Sequence, residues 1–207
     1  MDSSRSMGMG DPPKLDYAKQ LAAAFAYVAL ANLDRVSVLT FDSGMHARLA
    51  PTRGKNRIFK VFDFLRDVVP EGETQMGESL RTFAAQNKRR GVAILISDLY
   101  DPAGFEAGIN QLRFAKFEPF VLQVFDPAEV RPEINGDVRL VDHETGEYRE
   151  VTITPRLLEK YAEAHASYRK RIEDFCTKKH VAYQAVQTDV PFDEAVLAVL
   201  RRGGLLG

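Results

Sequence analysis

The stretch Val92-Ala93-Ile94-Leu95-Ile96-Ser97-Asp98 is a continuous apolar run that ends in a hydroxyl and a carboxylate. A run without alternating polar residues is typical of a strand buried on both faces of a parallel sheet. Residues 120–125 form a second such run, which ends at Asp126 and Pro127. These two runs predict a sheet with structure packed on both of its sides.

The segments around these strands alternate between helical and strand patterns. Apolar residues recur at spacings of three and four over 14–31, 56–69 and 105–115, which predicts amphipathic helices. Further helices are predicted at 78–90, 155–179 and 193–202, further strands at 36–41, 46–50 and 181–187, and a hairpin at 139–154. This order predicts a Rossmann-like, doubly wound α/β fold with a mostly parallel sheet and helices on both faces. We interpret 1–207 as one domain, elaborated by the hairpin and long helix at about 138–180.

Composition narrows the classes of function. The 207 residues are 45% hydrophobic and carry 28 Lys and Arg against 29 Asp and Glu, for a net charge of −1. This balance argues against nucleic acid or an anionic membrane as the main partner. The single cysteine, Cys176, excludes an internal disulfide and a cysteine-based zinc site. The longest apolar stretch, 21–33, is too short to span a bilayer, and we expect a cytoplasmic protein.

Oxygen-bearing side chains occur where ligands bind in parallel α/β sheets, at the carboxyl ends of strands. Asp2, Ser4 and Ser6 form a D-x-S-x-S motif, Thr74 lies in a loop, and Asp98 ends the most apolar strand. Carboxylates and hydroxyls are hard ligands that suit Mg²⁺ or Mn²⁺. The sequence therefore predicts a divalent-cation site built from these five residues.

The order of an acid, two hydroxyls, a threonine loop and a second acid is similar to a metal ion-dependent adhesion site. The chain resembles the von Willebrand factor A superfamily and, more narrowly, the bacterial "domain of unknown function 58" family. The narrower resemblance rests on five segments, namely 2–7, 14–18, 34–36, 126–129 and 142–147.

The resemblance implies roles for these residues and a kind of partner. Ser4, Ser6 and Thr74 would contact the metal directly, while Asp2 and Asp98 would hold it directly or through water. The metal would then bind an Asp or Glu side chain of a partner protein, without catalysis. The family also implies a MoxR-type AAA+ ATPase as partner, in the assembly or maturation of other proteins.

One departure concerns the strand that precedes the D-x-S-x-S loop in the superfamily. That central strand is missing from this chain, which opens at Met1 directly before Asp2. We expect that Met1 is not the natural start. For the chain as given, we expect the first ligand loop to be a tethered tail.

A phosphohydrolase of the haloacid dehalogenase type is the alternative. Asp2 would be its nucleophile, and Asp98 and Asp101 would hold Mg²⁺. This chemistry needs a general acid two residues after the nucleophile, and Ser4 stands there instead. The four histidines show no spacing typical of metal ligands, so we expect surface or structural roles for them.

Overall fold

Three parallel strands form the centre of the fold, in the order β3, β4, β7. The computed structural model describes residues 1–202. Strand β3 (Val92–Ser97) pairs with β4 (Glu118–Phe125), and β4 pairs with β7 (Ala182–Gln187). The two apolar runs of the sequence are therefore neighbours in the sheet, and both end at the same edge.

The remaining strands form two antiparallel pairs. Strand β1 (Arg35–Phe41) pairs with β2 (Met45–Arg53), and β5 (Gly136–Val141) pairs with β6 (Tyr148–Ile153). The helices are α1 (Lys14–Ala31), α2 (Ile58–Arg66), α3 (Met76–Gln86), α4 (Glu106–Phe114), α5 (Pro127–Val130), α6 (Pro155–Lys179) and α7 (Phe192–Arg202). The fold is thus mixed α/β with a small parallel sheet. The predicted parallel pairing holds for β3, β4 and β7, whereas the other four described strands form antiparallel pairs.

Helices cover both faces of the parallel sheet, because successive side chains of a strand point to opposite sides. Leu122 of β4 packs in a core with residues of α1, α2 and α7. Its neighbour Val121 packs in a second core with residues of α3, α4 and α6. The two cores account for the near absence of polar residues in β3 and β4.

The first three residues lie between β1 and β3 and hydrogen-bond to both. The Asp2 amide donates to the Ile96 carbonyl at 2.8 Å, and the Ser3 amide donates to the Phe41 carbonyl at 2.8 Å. The Met1 ammonium donates to the Leu39 carbonyl at 2.9 Å. The expected tethered tail was therefore wrong, because backbone hydrogen bonds on both sides hold this segment in place.

Behind Met1, the same two strands are not paired with each other, and a cavity of about 910 Å³ lies between them. Residues of β1, β3, α1 and α3 line it, among them Phe25, Val38, Leu80 and Ile94.

Helix α3 differs most from its prediction. It begins at Met76, whose amide donates to the Asp101 carboxylate at 2.7 Å. It ends at Gln86 rather than at residue 90, and the next residue, Asn87, donates its side-chain amide to the Phe83 carbonyl at 2.8 Å. Within residues 1–202, no helix is long and apolar enough to cross a membrane.

Candidate functional site

The D-x-S-x-S loop and the end of β3 meet at the carboxyl edge of the sheet. The Ser6 hydroxyl donates to Asp98 Oδ2 at 2.9 Å, and the Ser4 and Ser6 hydroxyl oxygens lie 3.1 Å apart. Ser4 and Asp98 are completely buried. Ser6 and Asp98, separated by 92 positions in the sequence, therefore lie in one polar cluster.

Asp2 lies in the same cluster and is also completely buried. Its Oδ1 accepts the Ser4 amide at 3.0 Å, and its Oδ2 accepts the Ser97 hydroxyl at 2.5 Å. Burial, together with the nearby Asp98 carboxylate, raises the pKa of Asp2 to about 7. A buried carboxylate that feels a second carboxylate favours either a proton or a nearby cation.

The turn after β3 holds Asp98 in position. Leu99 has φ 66°, a left-handed conformation that a branched apolar residue adopts only when the surrounding structure requires it. Its amide donates to the Ser97 hydroxyl at 2.9 Å, and the Tyr100 amide donates to Asp98 Oδ1 at 3.1 Å. The turn therefore directs backbone donors at the residues that end the strand.

Lys14, the first residue of α1, adds a cation that the sequence analysis missed. Its ammonium donates to Asp98 Oδ2 at 2.7 Å and also contacts the Glu129 carboxylate of α5. Burial by itself lowers the pKa of Lys14, but Asp98 and Glu129 outweigh this effect and hold it above its usual value. Lys14 is 1% exposed, so its ammonium and its two carboxylate partners meet inside the protein.

The charges in the cluster do not balance. Asp2, Asp98 and Glu129 supply three carboxylates against the one ammonium of Lys14. When all are ionised, two negative charges remain, which one divalent cation would neutralise. Within residues 1–202, no group of three or more His, Cys, Asp or Glu side chains is arranged to hold a metal. The donor set fits Mg²⁺ only if serine hydroxyls complete it.

Thr74 is buried in the loop that adjoins the D-x-S-x-S segment. The Arg5 amide donates to the Gly72 carbonyl at 3.1 Å, which joins the two loops. Thr74 itself binds Glu144, which lies between β5 and β6. The Thr74 amide donates to Glu144 Oε2 at 3.0 Å, and its hydroxyl donates to Glu144 Oε1 at 2.8 Å. A carboxylate therefore already lies against the predicted threonine ligand.

Asp101, the third acid of the phosphohydrolase alternative, has a structural role here. Its Oδ2 accepts the amide of Met76 at 2.7 Å, and its Oδ1 accepts the amide of Ala103 at 2.7 Å. Both of its oxygens therefore bind backbone donors. These two bonds organise the turn after β3 and attach it to the start of α3.

Comparison with known proteins identifies the family. The family model described as "Protein of unknown function DUF58" matches residues 1–171. The chain belongs to the DUF58 family. Among curated relatives, an uncharacterized protein of Mycobacterium tuberculosis is 25% identical over 213 residues, covering 100% of this chain and 67% of the relative. An uncharacterized protein of Mycobacterium avium is 31% identical over 123 residues, covering 58% of this chain and 72% of the relative.

Solved structures support the fold of this DUF58 chain. The conserved hypothetical protein BatB from Bacteroides thetaiotaomicron aligns with TM-score 0.60 and 17% identity, over 99% of this chain and 94% of BatB. An aerotolerance-related membrane protein from Bacteroides fragilis aligns with TM-score 0.62 and 18% identity, over 99% of this chain and 96% of that protein. At these identities the likeness concerns the fold alone.

The sequence analysis of this DUF58 chain missed three residues of the site, Lys14, Glu129 and Glu144. Lys14 begins an amphipathic helix, where a lysine is ordinarily solvated. Glu129 forms a capping box with Asp126, a local signal that does not indicate a second contact with Lys14. Glu144 follows Asp142 in a polar turn. None of these three local patterns predicts the contact that the side chain makes with a residue far away in the sequence.

Proposed function

We propose that this chain is a divalent-cation-dependent protein-interaction module of the von Willebrand A type, without catalytic activity. Its cation, Mg²⁺ or Mn²⁺, would bind an Asp or Glu of a partner protein. The observation that supports this most directly is the Ser6–Asp98 hydrogen bond, which joins the D-x-S-x-S loop to the end of β3. Asp2 and Ser4 are buried beside that bond with their oxygens in the same cluster.

The charge of the cluster also supports a cation. When Asp2, Asp98 and Glu129 are all ionised, Lys14 leaves two negative charges uncompensated in a buried site, which is unfavourable, and a divalent ion would relieve this. Asp2, Ser4, Ser6 and Asp98 would hold it, with Thr74 on the adjoining loop. The ion would supply a Lewis-acidic position for one incoming carboxylate. Lys14 shares Asp98, so it limits how many oxygens of Asp98 are available to the metal.

Calorimetric titration of Mg²⁺, and separately of Mn²⁺, into the whole chain tests the cation site. We expect binding in the wild type, and an affinity lowered by about tenfold or more in Ser6→Ala, which removes an oxygen of the cluster. Ser43→Ala is the matched control, since Ser43 is an exposed serine in a turn. Equal affinities for the two variants, or no binding by the wild type, would refute the cation site.

A phosphatase assay separates this proposal from the phosphohydrolase alternative. We expect no hydrolysis of p-nitrophenyl phosphate in Mg²⁺. Asp2, the nucleophile of the alternative, is completely buried, and Ser4 stands where this chemistry needs its general acid, which argues against attack on a phosphate. Hydrolysis that disappears in Asp2→Asn would favour the enzyme instead.

We also propose a MoxR-type AAA+ ATPase of the same organism as the partner system, and a cytoplasmic location. The family resemblance supports both, and the proposed cation site would accept one carboxylate of such a partner. A binding assay with the purified ATPase in Mg²⁺ and in EDTA tests the partner. We expect binding in Mg²⁺ that EDTA abolishes, and binding unaffected by EDTA would contradict the role of the cation.

A further inference from the structure

The contact between Thr74 and Glu144 has the form of carboxylate recognition. Two donors of one residue, the amide and the hydroxyl of Thr74, bind the two oxygens of Glu144 at 3.0 and 2.8 Å. A paired contact of this kind fixes both the position and the orientation of a carboxylate. Thr74 is also the one residue of the predicted adhesion site that lies outside the D-x-S-x-S motif and Asp98.

The turn that carries Glu144 is organised to present it. The Asp142 carboxylate accepts the amides of Glu144 and Thr145 at 2.9 and 2.8 Å. These backbone hydrogen bonds hold the pKa of Asp142 below its usual value. The guanidinium of Arg5 donates to the Glu144 carbonyl at 3.0 Å. Arg5 lies between Ser4 and Ser6, so the turn is attached to the candidate site from two sides.

The rest of the hairpin is weakly attached to the domain. Strands β5 and β6 pair only with each other among the described strands, and most of their side chains are exposed. Neither of the two large cores includes a residue of the hairpin. Displacing the tip from Thr74 would therefore leave the hydrophobic cores intact.

We propose that Glu144 is a resident substitute for the partner's acidic side chain, and that the β5–β6 hairpin covers the site until a partner carboxylate displaces it. This inference rests on the proposed function, in which a partner carboxylate binds at this site, and adds that the Thr74 amide and hydroxyl would receive that carboxylate. The Thr74–Glu144 contact would then be autoinhibitory, and the β5–β6 hairpin would be the surface that a partner must displace.

Nuclear magnetic resonance of the ¹⁵N-labelled chain tests the proposal. The probe is the peptide acetyl-Gly-Glu-Gly-amide, titrated in Mg²⁺ and in EDTA, and the readout is the chemical shift of the Thr74 amide. In Glu144→Ala we expect the peptide to shift this amide with an affinity about tenfold or more above that of the wild type, since the competing internal carboxylate is gone. Glu147→Ala, in the same loop, is the matched control and should match the wild type.

The outcomes separate this inference from the proposed function. Equal peptide affinity in Glu144→Ala and the wild type would overturn the inference, whether or not the chain binds Mg²⁺. Tighter peptide binding in Glu144→Ala that persists in EDTA would support the inference and contradict the dependence on a cation. The amides of β3 and β4 report in the same spectra whether the variant keeps its fold.

Discussion

The gap between β1 and β3 has two ends that differ in how they are filled. At the carboxyl end, Met1, Asp2 and Ser3 hydrogen-bond to both strands, and the polar cluster around Asp98 lies beside them. At the other end the same strands face a cavity of about 910 Å³, which apolar side chains such as Phe25 and Val38 line together with polar ones such as Arg35 and Arg48. A few backbone hydrogen bonds are thus enough to hold residues 1–3 between the two strands. Filling the rest of the gap would require additional side chains.

The largest effect is expected at Lys14, on the polar end. Lys14→Met removes a buried ammonium and leaves Asp98 and Glu129 without their cation. The free energy of unfolding should therefore decrease by about 3–5 kcal/mol. Lys19→Met is the matched control, because Lys19 forms a partly exposed ion pair with Asp16 on the same helix. Urea denaturation in EDTA measures both. Equal decreases in the free energy of unfolding of the two variants would mean that Lys14 does not stabilise the cluster.

The next largest effect concerns Ser97, which donates to Asp2 and accepts the Leu99 amide. Ser97→Ala leaves two buried groups without partners and should lower the free energy of unfolding by about 1–3 kcal/mol. Ser37→Ala is the control on the side of the cavity, where the Ser37 hydroxyl donates to the Leu49 carbonyl. If Ser37→Ala is as destabilising as Ser97→Ala, the two ends do not differ in their need for polar partners.

The open end can be tested by filling it. Fusing Val-Ala-Val-Leu-Val ahead of Met1 should raise the free energy of unfolding by about 1–2 kcal/mol, because apolar burial exceeds the entropy lost on ordering. The fusion also replaces the Met1 ammonium, whose burial lowers its pKa to about 6, by an amide. A Gly-Ser-Gly-Ser-Gly fusion is the control. Equal thermal stability of the two fusions would show that the cavity does not accept a strand.

The smallest effect concerns His165 on α6, whose Nε2 is buried without a hydrogen-bond partner among the described residues. Burial and the nearby Arg169 lower the pKa of His165. Below pH 6.5 the unfolded chain therefore binds the proton more readily, and stability should fall as the pH decreases.

His165→Phe keeps an aromatic ring beside Phe125 and Tyr161 and should weaken this loss of stability. His143→Gln, on the exposed hairpin, serves as the control. Thermal denaturation at pH 5 and pH 7 measures how far stability falls at low pH in each variant. The comparison shows how much a buried nitrogen without a hydrogen-bond partner destabilises the chain, whereas the polar groups around Asp98 have partners. An unchanged pH dependence in His165→Phe would remove His165 as the cause.

Much of the fold could be predicted from local patterns. The apolar runs at β3 and β4 predicted buried parallel strands, and the spacing in α1 predicted that helix to its first and last residue. The end of α3 was misplaced, because Lys88, Arg89 and Arg90 resemble a helix terminus, while Asn87 actually ends it. The tethered tail was wrong because hydrogen bonds to β1 and β3 cannot be read from a short polar segment.

The sequence by itself determined the α/β alternation and the positions of the oxygen-bearing residues, because both follow from local spacing. Only the tertiary structure decided which charges meet. Lys14 contacts Asp98 and Glu129 across 84 and 115 positions, and Thr74 contacts Glu144 across 70. Side chains so far apart in the sequence show no periodic spacing that would predict their contacts. These contacts form only when the strands, α1 and the hairpin come together at one edge of the sheet.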